Sequence, residues 1–350
     1  MSGNTWGKVF RLTSFGESHG LGLGGVVDGC PSGISLTEEM IQEELDRRKP
    51  GQGVGSSPRK ERDRVQLLSG VFEGETTGTP IGFYIPNEDQ RPRDYGKIKD
   101  IFRPGHADFS FQAKYGIRDY RGGGRASGRE TVSRVAGGAV AGAVLAPHGV
   151  RVLAYTLELG GIPAQVTDPE GAFDRPFFAP DPDIVSVWEE RIKEVRAKGD
   201  SLGGIVEVRA LGVPVGLGEP VFDKLDARLA YAFMGVGAVK AVEIGSGLKS
   251  ARLTGSQNND SILPDGFASN NAGGTLGGVS SGQDLVIRAA IKPIPSIALD
   301  QRTVNIANEP VTISMGGRHD ISAIPRINPV LKAMTLLTLA DFWLLQRRFG

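Results

Sequence analysis

Two histidines stand in polar, glycine-rich stretches: His19 in SFGESHGLGLGG, residues 14–25, and His106 in FRPGHADFSFQAKYG, residues 102–116. The chain has four histidines in all, so half of them lie where backbone can run close to a ligand. An imidazole titrates near neutrality and can give or take a proton during a reaction. Glycine removes the side-chain bulk that would hold a ligand away. Together they point to acid–base chemistry on a bound molecule, against the plainer reading of two hydrogen-bonded structural histidines. A third stretch, Arg118-Asp-Tyr-Arg-Gly-Gly-Gly-Arg-Ala-Ser-Gly-Arg129-Glu-Thr, sets four arginines and a glycine run immediately before a helical pattern. N–H groups at a helix start and guanidinium forks both favour anions, which suggests a phosphorylated ligand. The alternative is a solvated loop whose arginines pair with Asp119 and Glu130.

Two later segments add polar groups on glycine-exposed backbone. Ser269-Asn-Asn-Ala-Gly-Gly-Thr-Leu-Gly-Gly278 leads on to Lys292-Pro-Ile-Pro-Ser296, and Gly316-Gly-Arg-His-Asp320 sets a cation, an imidazole and a carboxylate side by side. Each alone reads as structural, but loop polar groups at this density usually serve a ligand. Other chemistries lack their motif. Gly20-Leu-Gly-Leu-Gly-Gly25 has the spacing of a dinucleotide loop, yet VVDGCPSG follows it where a helix start would be required. There is no Walker A or HExxH string. RGGGR resembles an RNA-binding tract but occurs once, in a chain of zero net charge.

The elements that must position these residues read as a mixed α+β order. Ser35-Leu-Thr-Glu38 has the form of a capping box, opening a helix that ends at Arg47-Arg48-Lys49. Residues 64–86 read as a hairpin. A helix over Arg129–Leu145 carries Gly137, Gly138, Ala141 and Gly142, which permit close packing against another element. Strand-like runs recur at Val152–Glu158, Ile205–Val213, Val239–Ile244, Asp284–Ile291 and Val311–Met315, with amphipathic helices over 184–198 and 221–234. Asn328-Pro329 suits the start of a final apolar helix reaching Arg347. His19–Gly29 resembles Ala272–Gly282, each with LGGV between glycines, which leaves open whether the chain holds two related halves. No linker stands out, so one domain over residues 1–350 is expected.

Forty basic residues balance forty acidic ones, which gives no bulk attraction to nucleic acid or an anionic membrane. The single cysteine, Cys30, excludes an internal disulfide and a cysteine-rich metal site and fits a reducing cytoplasm. The N-terminus lacks the pattern of a secretory signal. The longest apolar stretches, Val135–Pro147 and Met334–Leu345, fall short of the ~20 residues that span a bilayer and read as buried helices.

FGESHG, DRRKPG, SGVFEGETTGTPI, DYGKIKDIFRPGHADFSFQAKYG, DYRGGGRASGRET, EIGSG, SNNAGGTLGGVSSG, IKPIPS and GGRHD, in that order, resemble the chorismate synthase family from about residue 5 to 345. The resemblance implies helices sandwiched between antiparallel β-sheets, a homotetramer, and 1,4-trans elimination of phosphate from 5-enolpyruvylshikimate 3-phosphate with reduced FMN (FMNH2) supplied by a separate source. By residue matching, His19 would protonate the leaving phosphate and His106 the reduced flavin, and Asp320 would help remove the C6 hydrogen. Ser18, Arg47, Arg48, Ser127, Arg129 and Arg318 would bind the substrate. Arg125, Ala126, Ser127, Gly237, Ala238, Gly277, Lys292, Pro293, Ile294, Pro295, Ser296 and Arg318 would surround FMN. The chain departs from many members at Gly51-Gln-Gly-Val-Gly55, where they carry another basic residue. An ordinary flavin oxidoreductase would use the same pocket but consume reductant stoichiometrically. No flavin reductase activity of its own, nucleic-acid partner or membrane contact is expected, and whether NADP binds is left open.

Overall fold

The computed structural model describes residues 3–49, 54–55, 61–88, 96, 98–315 and 319–347. Its helices are α1 (Glu38–Arg48), α2 (Asp108–Tyr115), α3 (Thr131–Leu145), α4 (Ile184–Ala197), α5 (Leu225–Met234), the single-turn α6 (Gly255–Asn258) and α7 (Ile324–Gln346). Two five-stranded antiparallel sheets flank the long helices. The first runs in the order Thr5–Trp6, Arg11–Gly16, Gly22–Asp28, Ile81–Pro86, Gln66–Leu67. The second runs Ile162–Pro163, Arg151–Leu159, Gly204–Leu211, Leu285–Ile291, Val239–Ile244. Burial alternates residue by residue along Ile81–Pro86 and Leu285–Ile291, which turns one face of each sheet inward.

Between the sheets, α3 packs on the first, α7 on the second, and the two helices on each other. The glycines of α3 make this possible. A Cβ at Gly137 would lie 2.8 Å from Leu12 Cδ2 in the first sheet, and one at Gly138 would lie 2.4 Å from Ala333 Cβ on α7. The buried apolar side chains form one continuous cluster through both layers. This is the expected sandwich, an α+β fold. The chain start is held by α7, where the buried Asp341 carboxylate accepts the Lys8, Val9 and Phe10 N–H groups at 2.7 to 3.0 Å. No helix among the described residues is long and apolar enough to cross a membrane.

Several local expectations differ from the structure. Thr37, not Ser35, caps α1, accepting the Met40 N–H at 3.4 Å, because Ser35 ends a short strand paired with Glu75. Residues 64–86 hold two nested antiparallel pairings, Val71–Phe72 with Glu75–Thr77 and, outside it, Gln66–Leu67 with Ile81–Pro86, and the last of these strands also joins Gly22–Val27 in the first sheet. The last helix starts at Ile324, with Pro325 in its first turn, and Asn328 and Pro329 lie inside it. The Asn328 amide is buried, donating to Thr156 Oγ1 at 3.1 Å and to Ile324 O at 3.0 Å. The two similar glycine stretches differ in form: Gly22–Asp28 is a continuous strand and Thr275–Ser280 a tight hairpin. Gly20–Gly25 leads into that strand, so it has no helix start to receive a pyrophosphate.

Candidate active site

His19 occupies the turn between the Arg11–Gly16 and Gly22–Asp28 strands, buried with Ser18, whose Oγ lies 3.1 Å from His19 Nδ1. Asn87, directly after the Ile81–Pro86 strand, donates to Glu17 O at 3.0 Å and Gly20 O at 2.8 Å. The arginine–glycine loop closes on the same imidazole. Gly122 has φ +78, and a Cβ there would lie 2.1 Å from His19 Cε1. Only glycine allows that backbone to rest on the ring. Within the loop, Arg121 forks onto Asp119 at 2.8 and 2.9 Å. Burial, followed by a hydrogen bond with Asp119, pushes the Glu17 carboxyl up.

Arg48, at the C-terminal end of α1, and Arg129, just before α3, meet on one carboxylate. Arg48 Nη2 lies 3.2 Å from Asp63 Oδ2, and Arg129 Nη1 binds Asp63 Oδ1. Arg129 also reaches Asn87 Oδ1 at 2.9 Å and Glu61 at 3.4 Å, while Arg48 donates to Thr131 Oγ1 at 2.9 Å. All four charged groups are buried. Burial opposes ionisation of Asp63, but the two guanidinium groups outweigh it and hold the carboxyl below its ordinary range. Burial also pushes Arg48 down to about 10, so it stays charged at neutral pH. Arg48 Nε is buried with no hydrogen-bond partner among the described residues. Ser127 caps the turn before α3, accepting the Arg129 N–H at 3.3 Å.

His106 lies in a second cluster. Its Nε2 is 3.1 Å from Ser296 Oγ and its Nδ1 3.0 Å from Pro104 O. Gly105 has φ +70 and presses its backbone on Pro295, while Lys292 Nζ donates to Gly105 O at 2.8 Å. Lys292 N–H donates to Ala238 O at 2.9 Å, which brings the segment before the Val239–Ile244 strand to the Lys292–Ser296 run. Burial and then the nearby Arg103 push His106 down to about 4, so the imidazole is neutral. Arg103 bridges the clusters: Asp108 grips it at 2.7 and 2.8 Å, a Cβ on Gly123 would sit 3.6 Å from its Nη2, and its charge also helps burial lower His319. Asp320 pairs with Arg326 of α7 at 2.7 Å.

The structure thus gathers Ser18, His19, Arg48, Ser127 and Arg129, and separately His106, Ala238, Lys292, Pro295 and Ser296 with the intervening Pro293 and Ile294. Other expected residues stand elsewhere. The Arg47 guanidinium stacks 3.0 Å above the Phe173 ring. Arg125 binds Ser14 Oγ at 2.7 Å and Gly16 O at 3.2 Å along the first sheet, beside the exposed Ala126. Gly277 turns the hairpin whose Gly278 O receives the Leu225 N–H, at one end of α5, whereas Gly237 and Ala238 follow the other end of this ten-residue helix, ~15 Å away. Arg318 and residues 51–53 lie outside the described residues. Sequence reasoning missed Glu61, Asp63, Asn87, Arg103 and Asp108. Arg103 and Asp108 flank His106 within a motif already singled out. The others carried no signal, since Glu61 and Asp63 sit in a charged run that reads as solvated.

The chorismate synthase family model matches residues 10–344. The chorismate synthase of Nitratidesulfovibrio vulgaris (strain Miyazaki F) is 66% identical over 353 residues, covering 100% of both chains. That of Oleidesulfovibrio alaskensis is 67% identical, covering 99% of this chain and 98% of its own. A solved structure, "Crystal Structure of Chorismate Synthase", superimposes with a TM-score of 0.78 at 34% identity, covering 97% of this chain and 93% of the other.

Proposed function

The chain belongs to the chorismate synthase family of carbon–oxygen lyases, and from that membership we propose that it eliminates phosphate from 5-enolpyruvylshikimate 3-phosphate, in a 1,4-trans sense, to give chorismate. The observation that carries this reading is the union of a buried imidazole with two buried guanidinium groups: Asn87 bonds Arg129 on one side and the His19 turn on the other.

The substrate bears two carboxylates and a phosphate. Arg48 and Arg129 would take anionic oxygens through their forks, with Arg318 a further contact of the same kind. The Nε of Arg48, which has no partner among the described residues, supports this, because a buried N–H costs ~1–3 kcal/mol until an acceptor arrives. A phosphate dianion leaves poorly unless protonated. His19, oriented through Nδ1 by Ser18, would deliver that proton from Nε2, and Gly122 above the ring would exclude water. Asp320 would assist removal of the C6 hydrogen.

Reduced FMN fits the second cluster. Lys292 supplies a cation, Ser296 a hydroxyl, and Gly237 bare backbone with nothing within 4 Å of the position a Cβ would take. When bound, the flavin supplies electron density to the allylic system as phosphate departs. His106 enters that site neutral, and an anion placed beside it would raise its proton affinity. Homotetrameric assembly, a cytoplasmic setting and a separate source of reduced flavin belong to the same proposal.

The test is anaerobic phosphate release from the enolpyruvyl substrate with reduced FMN. Turnover without stoichiometric consumption of reductant is expected, falling ~10²–10⁴-fold in His19→Ala. Oxidised FMN with NADPH alone should give no chorismate. Net oxidation of the substrate, or a His19→Ala enzyme within threefold of wild type, would refute the reading.

A further inference from the structure

We propose that Asn87 is a positioning residue that fixes the His19 turn to the anion-binding arginine, so that the acid is aligned only while Arg129 is in place. This rests on the functional reading given above. One side-chain amide makes three bonds of matching polarity. Its Oδ1 accepts from Arg129 Nε at 2.9 Å, and its Nδ2 donates to Glu17 O at 3.0 Å and Gly20 O at 2.8 Å, the two carbonyls that bracket Ser18 and His19. The amide orientation follows from its neighbours, since a guanidinium only donates and a carbonyl only accepts.

The backbone of Asn87 adds a fourth tie, its N–H donating to Leu21 O at 3.1 Å. Asn87 follows a strand hydrogen-bonded to Gly22–Val27, so the clamp stands on sheet rather than on loop. Arg129 in turn is held by Asp63 and Glu61. The line from carboxylates to guanidinium, amide and turn therefore has few soft joints. Opposite it, Gly122 bears on the imidazole. The ring is confined between the loop and a turn whose two carbonyls are pinned. The set needs a carboxamide, which offers an acceptor to Arg129 and two donors to the turn; Asp or Ser in its place would lose part of the set and Leu all of it.

Asn87→Asp separates the two halves. It keeps an acceptor for Arg129 and loses both donors to the turn, whereas Asn87→Leu loses all three side-chain bonds. We expect kcat to fall ~10²-fold in Asn87→Asp, the scale of a 1 Å misplacement, with KM within threefold of wild type. In Asn87→Leu, KM should rise as well. Asn87→Ser, lacking the reach, should repeat the kcat loss if the aspartate variant fails to fold. Hydrogen exchange is the readout that needs no activity: the Gly20 amide should exchange at least tenfold faster in Asn87→Asp, while amides of the Ile81–Pro86 strand stay unchanged. An unchanged Gly20 rate, or an aspartate variant with kcat within threefold of wild type, would overturn the proposal. A wild-type protein that releases no phosphate would instead refute the functional reading and leave the exchange result to decide the clamp.

Discussion

Gly122→Ala tests whether the arginine–glycine loop positions His19. A methyl carbon at residue 122 would stand 2.1 Å from His19 Cε1 and 2.2 Å from Nδ1, against the ~3.5–4.0 Å at which carbon atoms ordinarily meet. Loop or ring must therefore move by more than 1 Å, and the ring moves at the expense of its 3.1 Å contact with Ser18. Displacement on that scale costs ~10² in turnover, or ~2.7 kcal/mol of barrier. The substitution also forces alanine to φ +78, a strain of ~1–2 kcal/mol that alone could loosen the loop. Gly123→Ala separates the two effects. It too demands a positive φ, +99, but its methyl would meet only Arg103 Nη2 at 3.6 Å and Ser127 N at 3.9 Å, ordinary contacts. Anaerobic phosphate release with reduced FMN should show Gly122→Ala at least tenfold below Gly123→Ala, with flavin binding similar in the two. Equal losses would mean that backbone strain, not displacement of His19, sets the effect. Wild-type turnover in Gly122→Ala would refute the seating of the loop on the imidazole.

Arg48→Lys and Arg129→Lys should each raise KM at least tenfold, because a point charge cannot replace a fork that holds Asp63 and an anion together; unchanged KM in both would move the anion site elsewhere. With its pKa depressed to about 4, His106 should remain neutral at pH 6 in the free protein, which NMR of a labelled imidazole would check by an absence of titration between pH 7 and 5.5. The linked stability has a definite sign: the unfolded chain binds the extra proton between about pH 6.5 and 4, so stability falls as pH drops through that window, and His106→Gln should show a shallower fall in thermal melts. Gly138→Ala should destabilise the fold by ~1–3 kcal/mol in denaturant titration, since its methyl would fall 2.4 Å from Ala333 Cβ between α3 and α7, and an unchanged midpoint would contradict that packing.

Much of this site was legible in the chain. Glycine beside His19 and His106 announced bare backbone near a ligand; in the structure Gly105 rests on Pro295, and it is Gly122, from a distant loop, that bears on the His19 imidazole. The α3 glycines announced tight packing, which Leu12 and Ala333 supply. Periodicity located the Val239–Ile244 strand and α4 to within a residue, because their patterns meet no competing local signal. Where local signals competed, tertiary contacts won. Asn328 and Pro329 look like a helix start, yet the preceding turn also buries its apolar side chains, and Asn328 finds Thr156 in the second sheet, 172 residues away. Ser35 looks like a cap, yet pairing with Glu75 claims it as a strand end.

By itself, the sequence determined which residue types could do acid–base and anion chemistry, and where the backbone must be bare, because those properties belong to single side chains and their neighbours. Only the tertiary structure decided which of them meet. Arg48 and Arg129 share Asp63 across 66 residues of chain at the farther end, and Asn87 joins Arg129 to a turn about seventy residues earlier. Charged runs such as Glu61-Arg-Asp63 read as solvated until the fold removes the water, and burial then turns weak surface charges into partners that must be satisfied.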